Sequence, residues 1–256
     1  MAVRLTCPET ARPLFSGWED TMIWAALEGT MGEVWADREE HPGSALILNG
    51  DFAFCAGRPD RAVLTARPAD WKQDFLILTP QNEDWSALIE AVYGRQVSRR
   101  ERYATRKEGD VFDRTLLRRQ TERLPVGCCL RPIEEPLYRL CMAASWSRDL
   151  VSRFPTWAAY QSLALGWAVT RGTELLSGAS TYSRYSGGIE IEIDTRPDCR
   201  RQGLASACGA ALMLDSLERG LYPSWDAQNR GSLALAEGLG YRFSHTYPVY
   251  ELSEGI

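Results

Sequence analysis

The chain has 256 residues, 45% hydrophobic and 25% charged, with 34 acidic against 29 basic side chains and a formal net charge of −5. That is the make-up of a water-soluble globular protein long enough for two domains of ordinary size, with no apolar run near the roughly 20 residues that a membrane-spanning helix needs. The acidic balance, with a pI near 5.3, argues against a nucleic-acid partner, which requires cations along a phosphate backbone. "MAVRLTCPETARP" lacks the apolar segment of an export signal, so a cytoplasmic location is expected.

Residues 17–29, "GWEDTMIWAALEG", space Trp18, Ile23, Trp24 and Leu27 as a helix would, with Gly29 as its stop. "SALILNG" and "DFAFCAG" (44–57) read as two strands joined at Asn49-Gly50, a strong hairpin signal. "DFLILTP" (74–80) is a further strand, and "NEDWSALIEAVYG" (82–94) a capped helix closed by Gly94. "RRERYATRKEG" (99–109) fits an exposed strand and "DVFDRTLLRRQTERLP" (110–125) a helix stopped by Pro125. The many basic residues between 95 and 123 fit a solvated face first, and a phosphate or acidic-partner site second. Trp18, Trp24, Trp35, Trp71 and Trp85 are expected in a core. Pro125-Val126-Gly127 punctuates the chain and divides it into an N-terminal α/β domain over 1–125 and a second domain over 126–256.

In the second half, "LYRLCMAASWSRDLVSRF" (137–154) reads as one helix and "WAAYQSLALG" (157–166) as another. Residues 167–183 read as two strands around Arg171-Gly172. The seven cysteines include no C-x-x-C pair, and with only His41 and His245 beside them no zinc spacing appears. Reduced, mostly buried thiols and no metal are expected. No internal repeat is evident.

"GGIEIEIDTRP" (187–197) is the cleanest strand: Ile189, Ile191 and Ile193 alternate with Glu190, Glu192 and Asp194. Pro197 ends it, and Arg200, Arg201, Gln202 and Gly203 lead into an amphipathic helix that runs to about Arg219. The first turn of a helix carries amides without internal partners and partial positive charge, so two guanidinium groups there make an anion site. Gly203 keeps a Cβ away from a bulky phosphate. Spacing alone serves an ordinary helix start with exposed arginines equally well.

"RRQGLA" resembles the acetyl-coenzyme A pyrophosphate loop of the GNAT N-acetyltransferase superfamily, Arg/Gln-x-x-Gly-x-Gly/Ala, with Arg200, Gly203 and Ala205 at its fixed positions. "WDAQNRGSLALAEGLGYRF" (225–243) resembles the family's second landmark through Asn229, Ser232, Leu235, Leu239, Gly240 and Tyr241. The likeness covers about 127–251. "GLYPSWDAQN" with "SLALAEGLGY" further resembles the bacterial branch named for the zwittermicin-resistance acetyltransferase, which carries an extra N-terminal domain.

The resemblance implies an α/β (α+β) fold, with a mixed, largely antiparallel sheet flanked by helices, and makes 1–125 an added α/β domain, conceivably a decayed copy of the same fold. It implies acetyl-CoA held by Arg200, Arg201, Gln202, Gly203, Leu204, Ala205 and Ser206, by the splayed strand at Ile193, Asp194 and Thr195, and by Asn229 and Ser232. The implied reaction is direct attack of a primary amine on the thioester. Glu190 and Glu192 are candidate general bases, because clustered carboxylates raise one another's pKa and attract an ammonium. Where many members carry a Tyr as general acid this chain has Ala236, which leaves Tyr241, Tyr182, Tyr185 or water for that role. His245 reads as structural. A small-molecule amine is the expected acceptor, on a monomer or homodimer; a protein or peptide acceptor, and an inactive CoA-binding module, are the alternatives.

Overall fold

The computed structural model describes residues 1–72 and 74–253. Contacts divide the chain into two compact units, Met1–Arg102 with the C-terminal segment from Thr246, and Tyr103–His245. The expected break near residue 125 therefore falls inside the second unit, because helix 114–122 packs along helix 204–218.

In the first unit β1 (Val3–Arg4), β2 (Glu33–Ala36), β3 (Ser44–Asn49), β4 (Phe52–Gly57) and β5 (Phe75–Pro80) stand side by side in chain order. The first four are antiparallel, β4 and β5 are parallel, and residues 250–253 of the C-terminal strand extend the sheet beyond β5. The 3-10 segment Pro8–Phe15 and α1 (Thr21–Leu27) fall between β1 and β2, α2 (Arg61–Leu64) between β4 and β5, and α3 (Glu83–Tyr93) after β5. Helix α1 starts later than expected because the Asp20 carboxylate accepts the Met22 N–H at 2.8 Å and caps it there. The hairpin is present, but Asn49 pairs with Phe52, so Gly50-Asp51 forms the turn, with Gly50 at φ +69°. Trp85 is wholly buried, its Nε1 donating to the Gly57 carbonyl at 2.9 Å, whereas Trp18, Trp24, Trp35 and Trp71 are half-buried. Strand β6 (Val97–Thr105) follows, and its arginines are solvated, Arg99 against Glu83 and Arg100 against Glu251.

The second unit continues with α4 (Arg114–Glu122), β7 (Cys128–Pro132), α5 (Glu135–Ala143), α6 (Trp157–Leu163), β8 (Gly166–Arg171), β9 (Glu174–Tyr185) and β10 (Gly188–Thr195). Then come α7 (Leu204–Glu218), β11 (Tyr222–Ser224), β12 (Asp226–Ala227), α8 (Arg230–Gly238) and β13 (Phe243–Ser253), whose last residues are those that extend the first unit's sheet. Its five-stranded sheet has the order β11-β10-β9-β8-β7, with β10 and β11 parallel and the rest antiparallel. The helix expected over 137–154 stops at Ala143, and the Ser147 hydroxyl donates back to the Cys141 carbonyl at 3.0 Å, ahead of a 3-10 turn at Arg148–Leu150. All seven cysteines are free, and Cys55, Cys141, Cys199 and Cys208 are buried.

Helix α7 departs from the amphipathic pattern expected of it. Ala207, Cys208, Gly209, Ala210, Ala211, Leu212 and Met213 are all buried, because β8–β10 cover one side and α4 another. Small residues make that insertion geometrically feasible. Gly209 is the tightest approach: a Cβ there would lie 3.0 Å from Leu239 Cδ1 and 3.5 Å from Ile193 Cδ1 and Trp225 Cζ3.

The two units repeat one order of elements, which the sequence does not display. Each runs strand, helical segments, three antiparallel strands, helix, parallel strand, helix, the second unit adding α4 ahead of this order, a 3-10 turn between α5 and α6, and β12 before α8.

Gly209 supplies a stability test. Gly209→Ala should change stability by less than about 1 kcal/mol, since removing a helix glycine gains about 0.5–1 kcal/mol against a small push on the flexible end of Leu239. Gly209→Leu should lose about 1–3 kcal/mol by overpacking. Urea denaturation monitored by tryptophan fluorescence reads both.

Candidate active site

The site grows from β10. Its β-branched residues favour the strand, and Ile189, Ile191 and Ile193 pack into the core that contains α7. Opposite Asp194 stands Gly178, where a Cβ would meet Leu150 Cδ1 at 2.6 Å, so that face of β9–β10 turns toward segment 148–150. By alternation Glu192 shares the face with Asp194.

On its other edge β10 pairs with β11 only at Gly188↔Tyr222, Ile189↔Pro223 and Glu190↔Ser224. Past Ser224 the chain leaves: Trp225 is buried beside Tyr241, and Asp226–Ala227 pair with Ala104 and Tyr103 instead. Among the described residues no strand pairs with 191–195 on that edge. Arg196 N–H donates to Leu176 across the β9 ladder, so the alternation of antiparallel pairs aims the N–H groups of Ile193 and Thr195 at the open edge. Neighbouring carboxylates occupy them: Glu192 Oε1 accepts from Ile193 at 3.2 Å and Asp194 Oδ1 from Thr195 at 2.6 Å.

The three carboxylates differ. Glu190 is 5% exposed and its Oε1 accepts the Asp226 N–H at 2.9 Å. Glu192 and Asp194 are half-buried. Burial raises the Asp194 pKa; the Thr195 amide and Arg200 pull it down, and Asp149 pushes it up.

At the end of β10, Arg196 fastens the turn by donating to Asp198 at 2.7 Å and to Glu174 at 3.3 Å, and that bond lowers the Asp198 pKa. Arg200 leans back on the strand, its Nε donating to the Thr195 carbonyl at 3.3 Å and its Nη2 lying 3.8 Å from Asp194 Oδ1. Arg201, Gln202 and Gly203 are exposed. Arg201 has φ +59° and Gly203 φ +79°, so glycine at 203 answers a left-handed backbone as well as the open space, where a Cβ would meet only Arg123 O at 3.8 Å. No side chain caps α7, and its first closed turn is Ala207 N–H to the Gly203 carbonyl at 3.1 Å. The amides of Leu204, Ala205 and Ser206 therefore lack intrahelical acceptors and face an open, cationic loop, as a diphosphate requires.

Other expected residues hold structural posts. Asn229 caps α8, its Oδ1 accepting the Ser232 N–H at 2.9 Å, and the Ser232 hydroxyl accepts Trp225 Nε1–H at 3.1 Å. Tyr241 is buried, its hydroxyl donates to the Pro223 carbonyl at 2.5 Å, and burial drives its pKa far up, so a proton from it for a departing sulfur is not at hand. Tyr182 and Tyr185 are buried too, Tyr182 beneath Arg153, and Ala236 lies in the core. His245 is exposed and shares a hydrogen bond with Ser244 at 3.0 Å. Asp149, in a turn that periodicity assigns to a helix, and Asp226, whose amide meets Glu190, gave no signal in sequence. Among the described residues no cluster of three metal-ligating side chains occurs, and no helix is long and apolar enough to cross a membrane.

Known proteins match this architecture along nearly the whole chain. A structure of a GCN5-related N-acetyltransferase-like protein from Streptococcus suis is 44% identical, covers 95% of this chain and 98% of its own, and superposes with a TM-score of 0.89. A Bacillus subtilis (strain 168) relative, the uncharacterized N-acetyltransferase YdfB, is 24% identical over 247 residues, 90% of this chain and 89% of its own. A tandem GNAT protein from the clavulanic acid biosynthesis pathway, solved without AcCoA, shares the fold at a TM-score of 0.55 and 13% identity over 100% of this chain and 99% of its own. The family model for GNAT acetyltransferases matches residues 12–250. With a strand that parts from its parallel neighbour and runs into a cationic, uncapped helix start, the chain belongs to the GNAT acetyltransferase family, acyltransferases whose acetyl donor is acetyl-CoA.

Proposed function

We propose that this protein moves the acetyl group of acetyl-CoA to a primary amine of a small molecule, and that only its second unit carries the donor site. The open edge of β10, which begins beyond Glu190 and ends at the loop 200–206, carries the reading. In it the amides of Leu204–Ser206 and the Arg201 side chain hold the pyrophosphate, and the amides of Ile193 and Thr195 receive the pantetheine arm as an added strand. Acetyl-CoA supplies an activated acyl carbon: the amine nitrogen bonds to it, the C–S bond breaks, and coenzyme A leaves as a thiolate that takes up, through water, the second proton the nitrogen sheds as the amide forms.

Glu192 is the base in this reading. It is half-buried at the open edge, on the face shared with Asp194, whereas Glu190 is buried and engaged with Asp226. Once the donor takes the Ile193 amide, the Glu192 carboxylate is released to accept a proton from the incoming ammonium. Asp194, with Asp149 near it, attracts that cation. Half-buried carboxylates beneath segment 148–150 suit a compact ammonium better than an extended peptide.

The first unit repeats the order of elements with its corresponding edge closed, as a decayed copy would. Its β4–β5 ladder runs to Cys55↔Pro80 and continues as Gln81 N–H to the Cys55 carbonyl at 3.0 Å and Gly57 N–H to Gln81 Oε1 at 3.0 Å. The helix after β4 is capped by Asp60, whose carboxylate accepts the Ala62 and Val63 amides at 2.7 and 3.2 Å. A carboxylate thus stands where an anionic ligand would dock.

Three measurements test this reading. Titration calorimetry should find one acetyl-CoA per chain, and a stoichiometry of two would remove the closed-edge argument. Gly203→Val should weaken acetyl-CoA binding by about five- to thirtyfold, since a branched residue at a left-handed position costs about 1–2 kcal/mol; unchanged affinity would sink the loop assignment. In a panel of amines scored by free-thiol release, Glu192→Gln should lower kcat by about 10²–10⁴-fold and abolish its fall at low pH. A panel in which the wild type binds acetyl-CoA but acetylates only peptides, or nothing, would replace the acceptor class or the activity.

A further inference from the structure

Glu190 is the one strand carboxylate that the proposed reaction leaves unused, and it is also the most buried. It stands in the last residue pair before β11 parts from β10. A strand that leaves a ladder abandons backbone partners, and a buried amide or carbonyl left without one is strongly unfavourable. Here side chains satisfy the backbone groups around the junction, and Glu190 takes the amide of Asp226, two residues beyond Ser224. The Tyr241 hydroxyl donates to the Pro223 carbonyl at 2.5 Å, the Thr105 hydroxyl donates to the Trp225 carbonyl at 2.6 Å, and Glu190 Oε1 accepts the Asp226 N–H at 2.9 Å. Of these, only Glu190 projects from β10 itself, so only it fixes the departing strand relative to the strand it leaves.

We infer that Glu190 is a positioning residue that holds the pantetheine slot open, pinning Asp226 away from β10 through a charge-assisted hydrogen bond. The inference rests on the donor site proposed above. The Asp226 amide, held by a side chain, does not reach for the β10 carbonyls, and residues 191–195 keep a free edge for the donor. Tyr222, whose hydroxyl donates to the Arg106 carbonyl at 3.0 Å, and Tyr241 lie near the carboxylate, whose charge adds to burial in raising the pKa of both hydroxyls. The loop 200–206 lies beyond the far end of β10, ten residues and more along the chain from the pin, so nucleotide binding there is expected to be independent of it.

The test uses the full-length protein and two ligands, acetyl-CoA and its phosphoadenosine diphosphate half, which lacks pantetheine. Glu190→Ala should weaken acetyl-CoA about tenfold while leaving the nucleotide half within about twofold, and Glu190→Gln, whose amide oxygen can still accept from Asp226, should restore acetyl-CoA to within about threefold. Thr105→Val, which removes a second pin, should show the same split between the ligands and keeps the question answerable if Glu190→Ala does not fold. Equal weakening of both ligands, or no weakening of either, would overturn the inference. So would a Glu190→Gln variant that binds both normally yet loses the pH dependence of its rate, which would make Glu190 the base. A wild type that binds neither ligand would refute the donor site itself, a result separable from all of these.

Discussion

Every feature of the candidate site depends on one requirement: a buried backbone N–H or C=O must have a partner. A parallel ladder meets that requirement for each residue it holds, so two paired strands stay paired unless something else satisfies the groups they release. Between β10 and β11 the ladder ends after Glu190↔Ser224, Glu190 takes the amide of Asp226 beyond it, and Tyr241 and Thr105 donate to the carbonyls of Pro223, still in the paired stretch, and of Trp225. The open edge is thus built by side chains around it rather than by any weakness of the strand. The same bonds explain why Tyr241 is buried with its proton committed, although its place in the motif invites a catalytic role.

The first unit shows the alternative outcome from the same order of elements. There the side chain at the corresponding junction, Gln81, accepts from Gly57 and donates to the Leu14 carbonyl, so it closes the gap instead of opening one. Asp60 fills the helix start with its own carboxylate, where α7 offers bare amides after Gly203. A few polar residues, not topology, separate an edge that can accept a ligand from one that cannot.

How legible this was in sequence follows the range of the interactions. Local signals carried far: the alternation in "IEIEID", the turn at Gly50, the Asn82 cap and the Gly94 stop all correspond to elements within a residue or two. The loop 200–206 was legible because its conformation is set by adjacent residues, Gly203 above all. Most of what failed depends on partners distant in the chain. The burial of α7 needs α4, nearly a hundred residues earlier, and that same contact puts residues 103–125 in the second unit. The helix through 137–154 is cut by a serine bonding back to its own end, a competition that periodicity cannot register. The repeat of the fold left no trace in spacing because topology survives the replacement of almost every side chain.

The charges along β10 sort by position, and in the proposed reaction that sorting lets one strand serve two substrates. Its loop end is positive, with Arg201 and the amides that open α7, and its face toward segment 148–150 is negative, with Glu192, Asp194 and nearby Asp149. In the proposed reaction a donor carrying phosphates and an acceptor carrying an ammonium would be drawn to opposite ends of the same short element, so that their reacting atoms meet between. The caps on Ile193 and Thr195 add an order to the meeting. Glu192 Oε1 accepts from the Ile193 amide at 3.2 Å, so in the proposed reaction a donor carbonyl that takes that amide displaces the carboxylate oxygen as the acetyl group arrives. In the proposed reaction one backbone amide therefore links the arrival of the thioester to the movement of the carboxylate that is to meet the acceptor amine.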